Sequence, residues 1–308
     1  MNSSNRRQAI IALIIANLIW GAASPVFKWS LTTIPPFILA FLRFFIASLL
    51  ILPFAYKELK QIKLQLLPKL IIFTFLGITF NISFFFLGLK LAPSINAAII
   101  ASIQPFILVI IGAWFLRENI TRREMTAALI SFLGILIIII APLIGDGYKA
   151  EMFLIGNLFF LLATLGAIGN TIVGKIILNK NNLLGITLIS FLIGALTFLP
   201  FALYEHFQNP QWYLNIGVSG YVGIVYGAVF ASALAYHLYM VGLNGMEASE
   251  TGIFGYLMPL AAVIIGVLFF SEAITLSFIA GSGLIIVGLI LQEMSFFRSL
   301  LHKLKQIC

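Results

Sequence analysis

Charge is scarce in this chain. Asp, Glu, Lys and Arg make up 9% of 308 residues, and only ten residues are acidic. Cysteine occurs once, at Cys308. No internal disulfide, CxxC metal site or CaaX lipidation box can therefore be drawn, and no resident metal is expected. No HExxH, GxSxG or Walker pattern is present, and no paired carboxylates lie within an apolar stretch. The chain is read as a non-enzyme with no cofactor. Without an ATP-binding motif, any uphill movement of a solute must run on a gradient or on a second solute.

What the sequence has instead is hydrophobicity. Apolar residues make up 61%, and the mean hydropathy is +1.11, far above that of a soluble domain. Since a bilayer core takes about 20 apolar residues per helix, ten segments qualify: 9–30, 36–55, 69–87, 95–116, 126–143, 153–177, 183–204, 214–241, 248–270 and 276–291. The runs are continuous rather than alternating, which excludes a pore-forming barrel. Connections between them are short. Arg6 and Arg7 precede an apolar run too long for an ordinary signal peptide, so an uncleaved first helix is expected.

Lys and Arg set the orientation. With the N-terminus inside, cytoplasmic segments hold Arg6, Lys57, Lys63, Arg117, Arg123, Lys175, Arg298 and their neighbours, whereas outer segments hold only Lys28, Lys90 and Lys149. Both termini are expected in the cytoplasm. The net charge of +8 then reflects topology and anionic lipid headgroups, not a nucleic-acid surface.

The chain is also written twice. Pro105 to Thr121 returns as Pro259 to Thr275 with nine of seventeen positions identical, an offset of 154. Arg43 to Glu58 returns as Ser190 to Glu205 with eight of sixteen identical, an offset of 147. The fold class expected is an all-α membrane protein of ten helices built as two repeats, residues 1–147 and 148–308. Five helices per half is an odd number, so the second copy must be inverted. Inverted repeats are an architecture of secondary transporters, in which the halves exchange shapes and expose one site to each side in turn.

Within the repeat, a mid-helix Pro, a small residue about seven later and a Glu past the helix end recur as Pro105, Gly112 and Glu118 and as Pro259, Gly266 and Glu272. With Asn17-Leu18-Ile19-Trp20-Gly21 and Leu42-Arg43-Phe44, this pattern resembles the EamA-type transporters of the drug/metabolite transporter superfamily. The resemblance covers the whole chain. It implies ten helices around a central cavity, lined mainly by the first, third, fourth, sixth, eighth and ninth, and a small metabolite as cargo.

Candidate cavity residues follow from helical phase. In the first segment Asn17, Trp20, Gly21, Ser24 and Lys28 share one stripe, answered in the sixth by Thr164, Thr171 and Lys175. Polar groups within the bilayer face protein or water, so the stripe reads either as a cavity wall or as interhelical hydrogen bonding. Lys28 and Lys175 are expected to snorkel. The eighth segment carries Tyr226, Tyr236, His237 and Tyr239, and its mate, the third, carries Asn81 and Phe85; polar-tipped aromatics suit an apolar-bodied solute. Asn96, Gln104 and Tyr256 flank the two mid-helix prolines, which leave carbonyls unpaired four residues back.

Three residues are candidates for gating or coupling. Arg43 lies roughly 10 Å into its helix at about 1.5 Å per residue, where a charge costs about 2.5 kcal/mol or more. Its repeat mate is the neutral Ser190. It either meets a substrate anion or gate, or ties down carbonyls of a neighbouring helix; the resemblance, which makes the second helix peripheral, favours the tie. His237 and Glu250 flank a tight turn and could couple to protons, although Glu250 follows Ser249 at a helix start, where capping explains it.

The reading is a bacterial inner-membrane secondary transporter that moves a small, amino-acid-like or similar polar organic solute, with export favoured. The alternative is a gated channel or facilitator. Partners are the solute and the lipid bilayer, and a monomer or weak dimer is expected. Lys149→Cys and Gln208→Cys should react with an impermeant thiol reagent from outside, and Lys60→Cys and Lys180→Cys only after permeabilisation. Outside labelling at position 60 would overturn the topology.

Overall fold

The computed structural model describes residues 3–60, 62, 64–104, 107, 122–141, 148–177, 183–245, 254–255 and 257–305. Pro105, Gly112, Glu118, Glu250 and Tyr256 lie outside the described residues. Among those described there are helices and no strands.

Six helices are long and apolar enough to cross a membrane: Arg7–Ser30, Pro36–Leu59, Leu64–Leu91, Glu151–Gly174, Leu183–Gln208 and Val218–Asn244, with mean hydropathies between 1.6 and 2.4. Half or less of each apolar window is buried inside the protein, and Phe54, Leu196, Phe207 and Leu268 stand outward. Such an outer surface is stable only against hydrocarbon, so the chain is a multi-pass membrane protein.

In chain order the helices are α1 (Ser3–Ser30), α2 (Pro36–Leu59), α3 (Leu67–Thr74), α4 (Asn81–Leu91), α5 (Ser94–Ala101), α6 (Arg122–Ile140), α7 (Tyr148–Ile177), α8 (Leu183–Gln208), α9 (Val218–Val225), α10 (Ala235–Gly245), α11 (Leu257–Phe270) and α12 (Leu276–Lys305). A stretch of wider turns, Phe75–Phe80, joins α3 to α4, and another, Tyr226–Leu234, joins α9 to α10. Each pair is thus one span with a π-helical middle. At the offset of 154 found in the sequence, the first stretch falls wholly within the second.

Packing follows a pattern. The most extensive pairs are α2 with α8 and α6 with α12; α1 packs on α10 and α11, and α7 packs on α4 and α5. Exchanging α1 with α7, α4 with α10 and α5 with α11 leaves these pairings unchanged. Phe44, Phe191 and Phe198 fill the α2–α8 seam, the Phe44 and Phe198 rings stacked at 6.1 Å. Phe27, Phe86 and Phe160 fill the seam around α1, α4 and α7.

Helix starts leave amides that their own helix cannot pair. The α2 start reads Pro35-Pro36, so its first exposed donors are Phe37 and Ile38, and both donate to Glu205 Oε2 at 2.9 Å. Leu39 N–H closes on Pro35 O. At the other end of the same antiparallel pair, Gly185 N–H donates to Glu58 Oε2 at 3.0 Å. Glu58 and Glu205 are repeat mates at the offset of 147, and so are Ile38 and Gly185. Each glutamate caps the other's helix.

A third carboxylate caps α5. Glu272 accepts from Ser94 N–H and Oγ through Oε1, at 2.9 and 2.8 Å, and from Ile95 N–H through Oε2 at 3.0 Å. Its position is fixed by the end of α11, where Ser271 takes a left-handed φ of 53° and Glu272 N–H reaches back to Gly266 O at 3.0 Å. That closure spans one residue more than a Schellman bond and, with the left-handed residue inside it, stops the helix. Gly266 itself leaves room: a Cβ there would lie 2.8 Å from Ile95 Cγ2. At Gly266 and Glu272 the small residue and the Glu of the sequence motif are thus one device.

Glu205→Ala, which strands two amides, should lower unfolding stability by about 2 kcal/mol, and Glu58→Ala by about 1 kcal/mol. Ser271→Gly should leave stability unchanged or raise it, since glycine adopts positive φ freely. Denaturant or thermal unfolding of the purified protein checks all three, and equal stability of Glu205→Ala and wild type would refute the capping account.

Candidate functional site

The helix seams do not close at the centre. A cavity of about 180 Å³ lies between α1, α2, α4, α5, α7, α10 and the start of α11, with Gly77 of the first π stretch in its wall. Its lining is mostly apolar with a few amides, hydroxyls and one guanidinium. Alanines at helical spacing, Ala97 and Ala101 on α5 and Ala163 and Ala167 on α7, make room for it.

Trp20 organises one wall. Its Nε1 donates to Ala231 O at 3.0 Å, and its ring packs on Tyr236 and Tyr239 with centroids 5.3 and 5.0 Å away. The indole can enter because Gly21 lets α1 touch α11, where a Cβ would lie 2.8 Å from Ala261 Cβ. Arg43 reaches the same carbonyl from α2: Nη2 donates to Ala231 O at 3.0 Å and Nε to Ser232 Oγ at 2.6 Å. Tyr236 in turn directs its hydroxyl to Gly77 O at 3.4 Å. Gly77 and Ala231 are related by the offset of 154. Wide turns free backbone carbonyls, and cavity side chains take them at both π stretches.

The carboxamides are oriented by the backbone. Asn17 Nδ2 donates to Leu13 O at 2.7 Å, Asn81 Nδ2 to Ala163 O at 2.6 Å and Asn170 Nδ2 to Phe73 O at 2.8 Å. Gln104 Nε2 donates to Thr171 Oγ1 at 3.2 Å, and Tyr239 Oη lies 3.4 Å from the same hydroxyl. One N–H of each of these amides is taken, which fixes its plane and leaves the second N–H and the oxygen to offer.

Beyond the cavity toward Lys28 the passage is filled. Phe27 packs on Phe86 at 5.1 Å and on Phe85 at 6.4 Å. Lys28 does not snorkel outward as the sequence suggests. Its ammonium donates to Ala92 O and lies 3.8 Å from Glu272 Oε1, tying α1 to the α4–α5 turn and the end of α11.

Of the residues drawn from the sequence, Asn17, Trp20, Ser24, Arg43, Asn81, Phe85, Gln104, Thr171, Tyr236 and Tyr239 come together around this cavity. Three others lie elsewhere. Asn96 Nδ2 donates to Asn157 Oδ1 at 3.0 Å, Tyr226 Oη donates to Ile19 O at 2.6 Å, and His237 is half-buried outside the lining, its Nδ1 without a hydrogen-bond partner. Glu250 and Tyr256 are outside the described residues. Asn170, Phe27 and Met240 line the cavity without having been singled out; a lone Asn in an apolar span was the one available signal.

Membrane-length helices closed around an internal chamber define an integral membrane protein with a cavity at its centre. The profile of the EamA-like transporter family matches residues 7–140 and again residues 154–292, and the chain belongs to that family. It is 29% identical to an uncharacterized transporter of Archaeoglobus fulgidus over 91% of this chain and 96% of the relative. It is 25% identical to a probable amino-acid metabolite efflux pump of Salmonella typhimurium (95% and 96% covered) and 24% identical to an S-adenosylmethionine uptake transporter of Rickettsia felis (90% and 89% covered). A crystal structure at 18% identity superposes with a TM-score of 0.63 over 96% of this chain and 99% of that one, a likeness of fold.

Trp20→Phe keeps an aromatic ring but deletes the donor to Ala231 O, which Arg43 still holds; unfolding should show a loss of about 1 kcal/mol. Trp20→Ala should still insert in the membrane yet lose solute binding in the purified protein. Wild-type binding by Trp20→Ala would remove the indole from the site.

Proposed function

We propose that this protein is a secondary transporter of the bacterial inner membrane, ten helices in two inverted five-helix halves, moving a small polar organic metabolite by alternating access. The observation that carries the reading is the reciprocal capping of α2 and α8. Residues related by one offset, Ile38 with Gly185 and Glu58 with Glu205, make the same contact in exchanged roles at opposite ends of an antiparallel pair. A two-fold axis in the membrane plane, relating one half to the other, produces that relation. The exchange-symmetric packing and the paired π stretches support it as well.

The site residues proposed are Asn17, Trp20, Asn81, Gln104, Thr171, Tyr236 and Tyr239, around a cavity filled on its Lys28 side by Phe27 and Phe85. In alternating access, the halves rock so that this side opens as the opposite one closes. No Asp or Glu lines the cavity among the described residues, so exchange or facilitated movement suits the site better than a carboxylate proton relay. The Lys and Arg distribution supports a cytoplasmic position for both termini. The direction proposed is export, as the name of the Salmonella relative has it; the Rickettsia relative is named for uptake.

Counterflow in proteoliposomes tests the mechanism. Vesicles preloaded with unlabelled solute should accumulate label transiently, with initial uptake several-fold above that of empty vesicles. Equal rates with and without preloading indicate a channel and would sink alternating access.

A further inference from the structure

Among the described residues the cavity holds an unmatched charge. Arg43 is 2% exposed and lines the chamber. Its bonded partners are neutral, the Ser232 hydroxyl and the Ala231 carbonyl, and its guanidinium lies 5.0 Å from the Phe27 ring and 4.8 Å from the Phe44 ring. Rings and neutral acceptors orient a cation without cancelling it. Of the described carboxylates, Glu58, Glu205 and Glu272 are committed to helix starts and Glu151 is exposed at the start of α7. Among the described residues the single Lys/Arg–carboxylate pair is that of Lys28 with Glu272.

The repeat shows that the fold does not need this cation. Arg43's mate, Ser190, is buried on α8 beside the other π stretch, and its hydroxyl has no hydrogen-bond partner. There the freed Gly77 carbonyl is held by Tyr236 instead. Trp20 likewise already holds Ala231 O. A neutral side chain therefore suffices at each wide turn, and a buried unpaired charge, costly as it is, calls for another reason.

We infer that Arg43 receives a carboxylate of the cargo, and that the cargo is a small monocarboxylate anion with an apolar body rather than a zwitterion. This rests on the transport reading above. Two N–H groups of the guanidinium are held by Ser232 and Ala231, which fixes its plane; the others remain to bind a carboxylate in the geometry arginine favours. One anionic group balances the guanidinium within the chamber. A second anionic group finds no cation, and an ammonium finds no carboxylate. The oxygens of Asn17 and Asn81, amides whose planes are set by one N–H bond each, suit a hydroxyl or N–H on the body of the solute.

The test uses matched acid and amide pairs on the purified full-length protein: phenylacetate, 4-hydroxyphenylacetate and indole-3-acetate, each with its neutral amide, alongside tyrosine and tryptophan. Calorimetry or thermal shift should show at least one acid binding about tenfold or more tighter than its amide and the amino acid with the same ring. Arg43→Gln should abolish that preference, and Arg43→Lys should keep part of it. If Arg43→Gln proves too unstable to purify, the contrast in the wild type decides alone. Amides or amino acids binding as well as the acids would overturn this assignment while leaving transport intact, as would an acid preference unchanged in Arg43→Gln. No binding from the panel, together with no counterflow of any solute class, would overturn both readings.

Discussion

A backbone amide at the start of a membrane helix must find an acceptor within the protein, and that requirement organises this molecule. Helix interiors satisfy themselves, but α2, α5 and α8 begin with amides that their own helices cannot pair. Three glutamates supply the acceptors, each from a helix or turn distant in sequence. The choice of glutamate follows from charge as well as geometry: a carboxylate accepts several bonds at once and meets the positive end of the helix dipole. Because each cap belongs to another helix, satisfying the amides also fixes which helices are neighbours. Secondary structure and tertiary arrangement are set by the same bonds.

The same rule governs the middle of the bundle. Where a span widens into π turns, carbonyls are released, and these too must be met. At Gly77 and Ala231 the donors are Tyr236, Trp20 and Arg43, the side chains that also form the cavity wall. The chamber is held open by its own hydrogen bonding. Filling it with a solute adds contacts without dismantling the framework, and a change in either wide turn is felt at once by the lining.

Much of this was legible in the sequence. Aligned Pro, Gly and Glu residues disclosed the duplication, and the Glu272 motif proves to be a helix stop joined to a helix cap. The stripe of Asn17, Trp20 and Ser24 reached the cavity because α1 keeps its phase there. The eighth span was harder to read. Tyr226 and His237 stand on a different face of that span from Tyr236 and Tyr239, and only the second pair reaches the chamber; Tyr226 is bonded to Ile19 O. Asn96 misled for another reason: a polar residue near a helix start is as readily used between helices, here with Asn157. Lys28 looked free to reach the headgroups because the Ala92 carbonyl and Glu272 come near it only in three dimensions. The alanine faces of α5 and α7 mark absence of volume, which single residues do not advertise.

The clasp between α2 and α8 also has a history within each molecule. The amide of Phe37 enters the membrane early, while its acceptor, Glu205, lies 168 residues downstream. At translation rates of about 5–20 residues per second, the second helix waits many seconds for its partner. During that interval its first turn must borrow acceptors from lipid headgroups, the insertion machinery or water. Assembly is therefore decided late, when the seventh segment arrives and both ends lock together. A newborn first half is an unfinished object, held in trust until its copy is made.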